Sequence, residues 1–288
     1  MAPCRQRLLS PIPVVRAGML KQRVITALWL VALLSGVLFA LPPAGVWVAF
    51  SFVAGLAAWE WGGLMRQASR VRIAFGVVCG GIFAAIAFAQ VSESAIGQCV
   101  LAGASGFWLL VVPLWLKFRW SLARVALLGH FLGMLLILST CIAVIVLQQR
   151  SPWLLLAAMA LVWVADVAAY FAGRQFGRRK LAPTISPAKT WEGVAGAVLG
   201  VLVYAVVLFS ITPLASSWHR GYVELAVLLA ILTGLSVIGD LFESMLKRQA
   251  DIKDSSQLLP GHGGILDRID ALTSTLPVIA LIVVIASQ

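Results

Sequence analysis

Long apolar stretches broken by short polar clusters fill this chain from end to end. Nine of them approach the ~20 residues a helix needs to cross a bilayer: 24–41, 44–64, 73–91, 95–116, 125–147, 152–172, 187–211, 222–246 and 269–286. They are too long for strands, and a lone helix satisfies its own backbone in hydrocarbon. The expected fold is therefore all-α, a polytopic integral membrane bundle of about nine transmembrane helices. Glycines four apart, Gly76/Gly80, Gly129/Gly133, Gly173/Gly177 and Gly196/Gly200, mark helices able to approach closely. No internal repeat, low-complexity tract or soluble domain is visible.

Composition agrees with this. Hydrophobic residues make up 61% and charged ones 11%, against roughly 25% charged in a soluble domain. A net charge of +11 could suggest a nucleic-acid partner, but its placement argues against one. With the N-terminus inside, 20 of the 22 Lys and Arg residues fall in cytosolic segments, and only Arg150 and Arg220 fall outside. This positive-inside pattern gives N-in and C-out for nine spans. The four cysteines, Cys4, Cys79, Cys99 and Cys141, stand singly and suggest neither a zinc site nor a disulfide framework. Residues 1–18 read as a disordered, dispensable extension or a misplaced start ahead of Met19, and 19–288 as one membrane-embedded domain. Up to residue 149 that domain holds only Glu60 and Glu93 as acids, a scaffold half; 150–288 holds the other nine of the 11, a chemistry half.

The chemistry concentrates between two apolar runs. Ser244 to Asp270, 27 residues, carries four acids, four cations, His262 and the turn Pro260-Gly-His-Gly-Gly264. Charge is costly near hydrocarbon, so its concentration there implies a task. Carboxylates suit a hard divalent ion, cations suit phosphates, and glycines admit an anion close to backbone N–H groups.

Helical spacing puts Asp240, Glu243, Ser244 and Lys247 on one face at i, i+3, i+4 and i+7. Asp267 and Asp270 share a face at the start of the last helix, where carboxylates are favoured. The two clusters converge if these helices are antiparallel neighbours. Asp166, Tyr170 and Gly173 likewise share a face, with Asp166 inside an apolar helix at ~2.5–3.5 kcal/mol on insertion scales. Ser186-Pro187 reads as N-cap and first residue of the seventh span, placing a helix N-terminus beside Lys189 as a phosphate site. Glu192, three residues on, could orient that lysine or reach a metal. Arg178, Arg179 and Lys180 serve topology equally well. No P-loop occurs.

These residues carry a resemblance. The Ser244–Asp270 segment resembles the signature of the phosphatidate cytidylyltransferases (CDP-diacylglycerol synthases). Similar to that family too are Ser186-Pro-x-Lys-Thr-x-Glu-Gly193, Asp166-x-x-Ala-Tyr-x-x-Gly173 and Trp59-Glu60-Trp61. The resemblance runs from about Met19 to the C-terminus. It implies transfer of the cytidylyl group of CTP to phosphatidic acid, giving CDP-diacylglycerol and pyrophosphate. It also implies a cytosol-facing cavity open sideways to lipid, in a bacterial inner membrane.

Mg²⁺ is the implied cofactor, with K⁺ as its neighbour and Asp240 and Asp267 as the metal carboxylates. Lys189, Lys247, Arg248, Lys253 and Arg268 are expected to clamp the phosphates, with Gly263 and Gly264 admitting main-chain contacts. Asp166, Tyr170, Ser186, Thr190, Glu192, Glu243, Ser244, Asp254, His262 and Asp270 complete the expected substrate site. A homodimer is a candidate assembly that the sequence leaves open. The rival enzyme reading is a CTP-dependent kinase or cytidylyltransferase acting on a polyprenol or ether lipid. An anion transporter fits less well, since the polar residues cluster at helix ends instead of the bilayer midplane. A purely structural scaffold has no use for the Gly-His-Gly-Gly turn.

Overall fold

The computed structural model describes residues 14–90, 94–122, 126–212, 221–259 and 261–286, with side chains from residue 25 onward apart from Ala27 and Ala126. Cys4, Arg5, Arg7, Glu93, Arg124, Arg220 and Pro260 lie outside the described residues, as do positions 1–13 of the expected extension. Among the described residues ten α-helices and one hairpin follow in order: α1 Val14–Ala40, α2 Pro43–Leu64, α3 Ser69–Phe88, α4 Ala95–Gly106, α5 Val112–Phe118, α6 Ala126–Arg150 and α7 Pro152–Phe176. Then come β1 Lys180–Ala182, β2 Ser186–Thr190, α8 Trp191–Ile211, α9 Tyr222–Gln249 and α10 Leu266–Ala286.

Among the described residues, eight segments are long and apolar enough to cross a membrane, with α4 and α5 counted as one. Of α1, the stretch Leu28–Ala40 is apolar but shorter. That helix opens at Val14, ahead of the expected 24. The span expected at 95–116 is interrupted by a wide π-helical turn, Phe107–Val111. Pro113 follows it; a proline lacks the N–H of a regular turn and crowds the carbonyl four residues back, which the wide turn relieves. The turn aims Phe107 and Trp108 at Phe242 of α9, with the Trp108 and Phe242 rings edge to face at 5.5 Å.

Glycines set the closest helix pairs. α2 meets α3 where a Cβ on Gly76 would stand 2.6 Å from the Gly55 carbonyl oxygen. α7 meets α8 at Gly173, Gly193, Gly196 and Gly200, the last two facing Ala172 and Ala168. Gly129 and Gly133 of α6 seat Trp61, whose Nε1 donates to the Gly129 carbonyl at 2.9 Å. All four small-residue pairs read from the sequence thus lie at or beside close contacts. α6 and α10 form the centre, each packed on the other and largely buried. α9 packs on α10, making the bearers of the two acidic clusters neighbours.

One local expectation is corrected. Ser186 and Pro187 do not start a helix; Ser186–Thr190 is a strand paired antiparallel with Lys180–Ala182. The helix begins at Trp191, with Thr190 as N-cap, its Oγ1 accepting from the Gly193 N–H at 3.1 Å. Extended backbone at Ser186 suits a residue before proline, and Thr190 supplies the cap that Ser186 was expected to provide.

Candidate active site

At the hairpin end of the bundle a cavity of about 560 Å³ opens between α7, the hairpin, α8, α9 and the start of α10. Five acids line it, Asp166, Asp240, Asp254, Asp267 and Asp270, facing four cations, Arg174, Lys189, Lys247 and Arg268. Such a lining suits a polyanion and the cations that accompany it.

The lining is built from fixed elements. Asp166, Tyr170 and Gly173 all reach it, as their shared face requires. The Tyr170 hydroxyl accepts from Arg174 at 3.3 Å. Lys189 projects from β2 and pairs with Asp240 at 2.5 Å, both side chains partly exposed to the cavity. The other Asp240 oxygen accepts from the Ser244 hydroxyl one turn on, at 3.1 Å.

Lys247 crosses from α9 to α10. Its Nζ stands 2.6 Å from Asp267 Oδ1 and 3.5 Å from Glu243 Oε2, with all three side chains nearly buried. A buried cation between two carboxylates costs several kcal/mol to desolvate, and the compensation lies in such pairing. The second Asp267 oxygen is braced: Oδ2 accepts from the Gly264 N–H at 2.8 Å and the Ser255 N–H at 2.9 Å, and the Ser255 hydroxyl, 3.0 Å away, shares its one proton between Oδ2 and the Glu60 carboxylate. Each of Asp240 and Asp267 therefore keeps one oxygen braced by protein and turns the other to a lysine at the cavity.

Gly261 and Gly263 take left-handed backbone angles, φ +75° and +79°, and Leu259 and Gly263 form an isolated antiparallel bridge. These angles explain the two glycines. Gly264 is different, since its backbone is not left-handed, but a Cβ there would collide with Ser255 and the Glu60 carboxylate. Its N–H is committed to Asp267, so the Gly-Gly step here braces a carboxylate.

Of the other expected residues, Ser186, Thr190 and Arg268 line the cavity. Glu192 lies outside the lining and accepts from the Arg178 and Arg179 N–H groups at 3.1 and 3.2 Å, tying the exit of α7 to the start of α8. Lys189 instead goes to Asp240. Glu243 lies behind Lys247, and Arg248, Lys253 and His262 stand outside the lining, the first two exposed.

Sequence reasoning named Glu60 only within the family-like Trp59-Glu60-Trp61 and gave it no role. The structure shows it fully buried, receiving hydrogen bonds from Ser255, Ser256, Ile265 and Leu266. The available signal was its isolation, an acid amid the apolar second span, but its partners lie about 200 residues away.

The fold and site define a class: an all-α, multi-pass membrane protein with a cavity lined by acids and cations at the helix ends. The model of the cytidylyltransferase family matches residues 21–286, so the chain belongs to that family. It is 40% identical to the phosphatidate cytidylyltransferase of Pseudomonas aeruginosa over 286 residues, covering 91% of this chain and 96% of that protein. The phosphatidate cytidylyltransferase of Haemophilus influenzae is 37% identical over 280 residues, covering 90% of this chain and 96% of its own. That of Bacillus subtilis is 43% identical over 131 residues, 46% of this chain and 47% of its own.

Proposed function

We propose that this protein transfers the cytidylyl group of CTP to phosphatidic acid in the membrane, releasing pyrophosphate and leaving CDP-diacylglycerol. The observation that carries the reading is the pairing of Asp240 with Lys189 and of Asp267 with Lys247 around one cavity, in a chain whose near full-length relatives bear that activity as their name.

A phosphate oxygen of phosphatidate forms a bond to the α-phosphorus of CTP as the bond from that phosphorus to the β-phosphate bridging oxygen breaks. Both reactants are anions, so alignment and charge neutralisation are the main tasks. Lys189, Lys247 and Arg268 line the cavity and hold positive charge toward the phosphates. The nucleophile is already ionised at neutral pH, so no general base is required, which leaves His262 an orienting or proton-trading role.

The donor set fits Mg²⁺. Asp240 and Asp267 present hard oxygens to one cavity. Among the described residues no three His, Cys, Asp or Glu side chains gather closely enough to hold a metal ion alone. Mg²⁺ commonly takes one or two carboxylates and completes its shell with water and substrate phosphates, which matches such an incomplete set. Bound there, the ion would supply charge stabilisation to the transferring phosphoryl group. K⁺ beside it, a homodimer, and a bacterial inner membrane with the cavity facing the cytosol are further parts of the proposal. The lysine and arginine distribution supports that orientation.

The test uses purified protein in detergent–lipid micelles with phosphatidate, Mg²⁺ and CTP labelled at the α-phosphate. Label entering the lipid fraction, and ceasing to do so with EDTA, is the expected result. Label entering a polyprenol from γ-labelled CTP, with none reaching phosphatidate from the α-position, would replace the reading with a lipid kinase.

A further inference from the structure

Glu60 sits near the C-terminal end of α2, in the half of the chain otherwise almost free of acids, and has no exposure to solvent. Among the described residues no salt bridge reaches it. Its carboxylate instead meets three donors from the loop before α10 and one from the first residue of that helix. The Ser256 hydroxyl and Leu266 N–H donate at 2.6 Å, and the Ser255 hydroxyl and Ile265 N–H at 3.0 Å. A carboxylate is acceptor-only with about four lone-pair positions, so each donor finds a place. An amide in the same spot would turn an N–H₂ group toward two of those donors. The two backbone donors cannot rotate away.

The same loop atoms also hold Asp267. Ser255 lies between the two carboxylates, its hydroxyl 3.0 Å from Glu60 Oε2 and 3.0 Å from Asp267 Oδ2, while its N–H donates to Asp267. Gly264, whose N–H also donates to Asp267, packs its Cα against Glu60 so tightly that no Cβ fits. Ser256 is the contrast: it bonds Glu60 and the Leu258 N–H and does not touch Asp267.

We propose that Glu60 is a positioning residue for Asp267. By holding Ser255 and the Gly264–Leu266 backbone against α2, it braces Asp267 Oδ2 with their donors and leaves Oδ1 to face Lys247 in the cavity. The inference deepens the proposed function and rests on Asp267 acting at the substrate phosphates.

The experiment compares E60Q, E60D, S255A and S256A in the full chain, in detergent–lipid micelles. It reads kcat and KM for CTP together with hydrogen exchange of peptides covering 255–266. The expectation for E60Q is a fall in kcat of at least about thirtyfold, with KM for CTP changed less than about threefold and faster exchange across the loop. E60D, which keeps the charge, recovers part of the rate. S255A follows E60Q in direction, whereas S256A stays within about twofold of the parent. An E60Q enzyme that turns over within twofold of the parent overturns the proposal. So do equal rate losses in S255A and S256A, which would make Glu60 a plain loop anchor, and this contrast decides the matter if E60Q does not fold. Absence of transfer by the parent protein would count against the proposed function, while the exchange data would still report how Glu60 holds the loop.

Discussion

Replacing Gly264 by alanine is a small change with a large calculable consequence. The backbone there accepts an L-residue, since φ lies outside the left-handed region, so the cost is steric. The new Cβ would stand 2.5 and 2.6 Å from the two Glu60 carboxylate oxygens and collide with the Ser255 hydroxyl. Relief to ordinary contact requires a relative shift near ~1 Å. Hydrogen bonds starting at 2.6 and 3.0 Å from Leu266 and Ile265 would then approach or exceed the useful limit of ~3.5 Å.

Losing two bonds to a charged acceptor, at ~1.5–3 kcal/mol each, comes to about 3–6 kcal/mol before water repairs part of it. That energy is local to the loop and leaves the helix packing intact, so loop opening relieves it without unfolding the bundle. The expected outcome is at least a tenfold fall in cytidylyl transfer, an unchanged gel-filtration profile and faster hydrogen exchange from 255 to 266. Wild-type turnover in G264A, with exchange unaltered, would refute the reasoning.

Lys247→Met leaves Glu243 and Asp267 nearly buried without their shared cation, which costs about 3–5 kcal/mol. A lowered thermal midpoint, partly restored by adding Glu243→Gln, is the expected readout. Arg66→Ala breaks an exposed pair with Asp251 and a bond to the Gln249 carbonyl. Both partners are more than half exposed, so the loss should stay within about 1 kcal/mol and shrink as salt is added. Turnover within twofold of the parent is expected there, and a large loss would show that this link shapes the site.

Much of the architecture was legible because hydrocarbon imposes a simple rule on length and polarity. The placement of Asp166, Tyr170 and Gly173 around one cavity followed from helical period alone. The packing of the two helices that bear the acidic clusters followed from the short connection between α9 and α10. The hairpin was not legible. Ser186-Pro187 satisfies the local preferences of a helix start, while its strand pairing with Lys180–Ala182 is a contact across a turn that local preference does not encode. The cap falls instead to Thr190, three residues before a close-packed glycine. The role of Glu60 was hidden for a stronger reason, since all four of its donors lie about 200 residues away. For the same reason Gly264, read as an opening for phosphate, is a clearance for Glu60 and a donor to Asp267. The division into scaffold and chemistry halves describes where the acids lie, while the packing joins α10 to α4, α6 and α2.

The central claim is that Asp267, braced by its loop and facing Lys247, acts on the transferring phosphates. Its most direct test is the rate of α-label transfer from CTP to phosphatidate by Asp267→Asn, at equal amounts of membrane-inserted, monodisperse protein. The account predicts a loss of at least about a thousandfold, with insertion and gel-filtration behaviour unchanged. Transfer within tenfold of the parent would contradict it and move the chemistry to another part of the cavity.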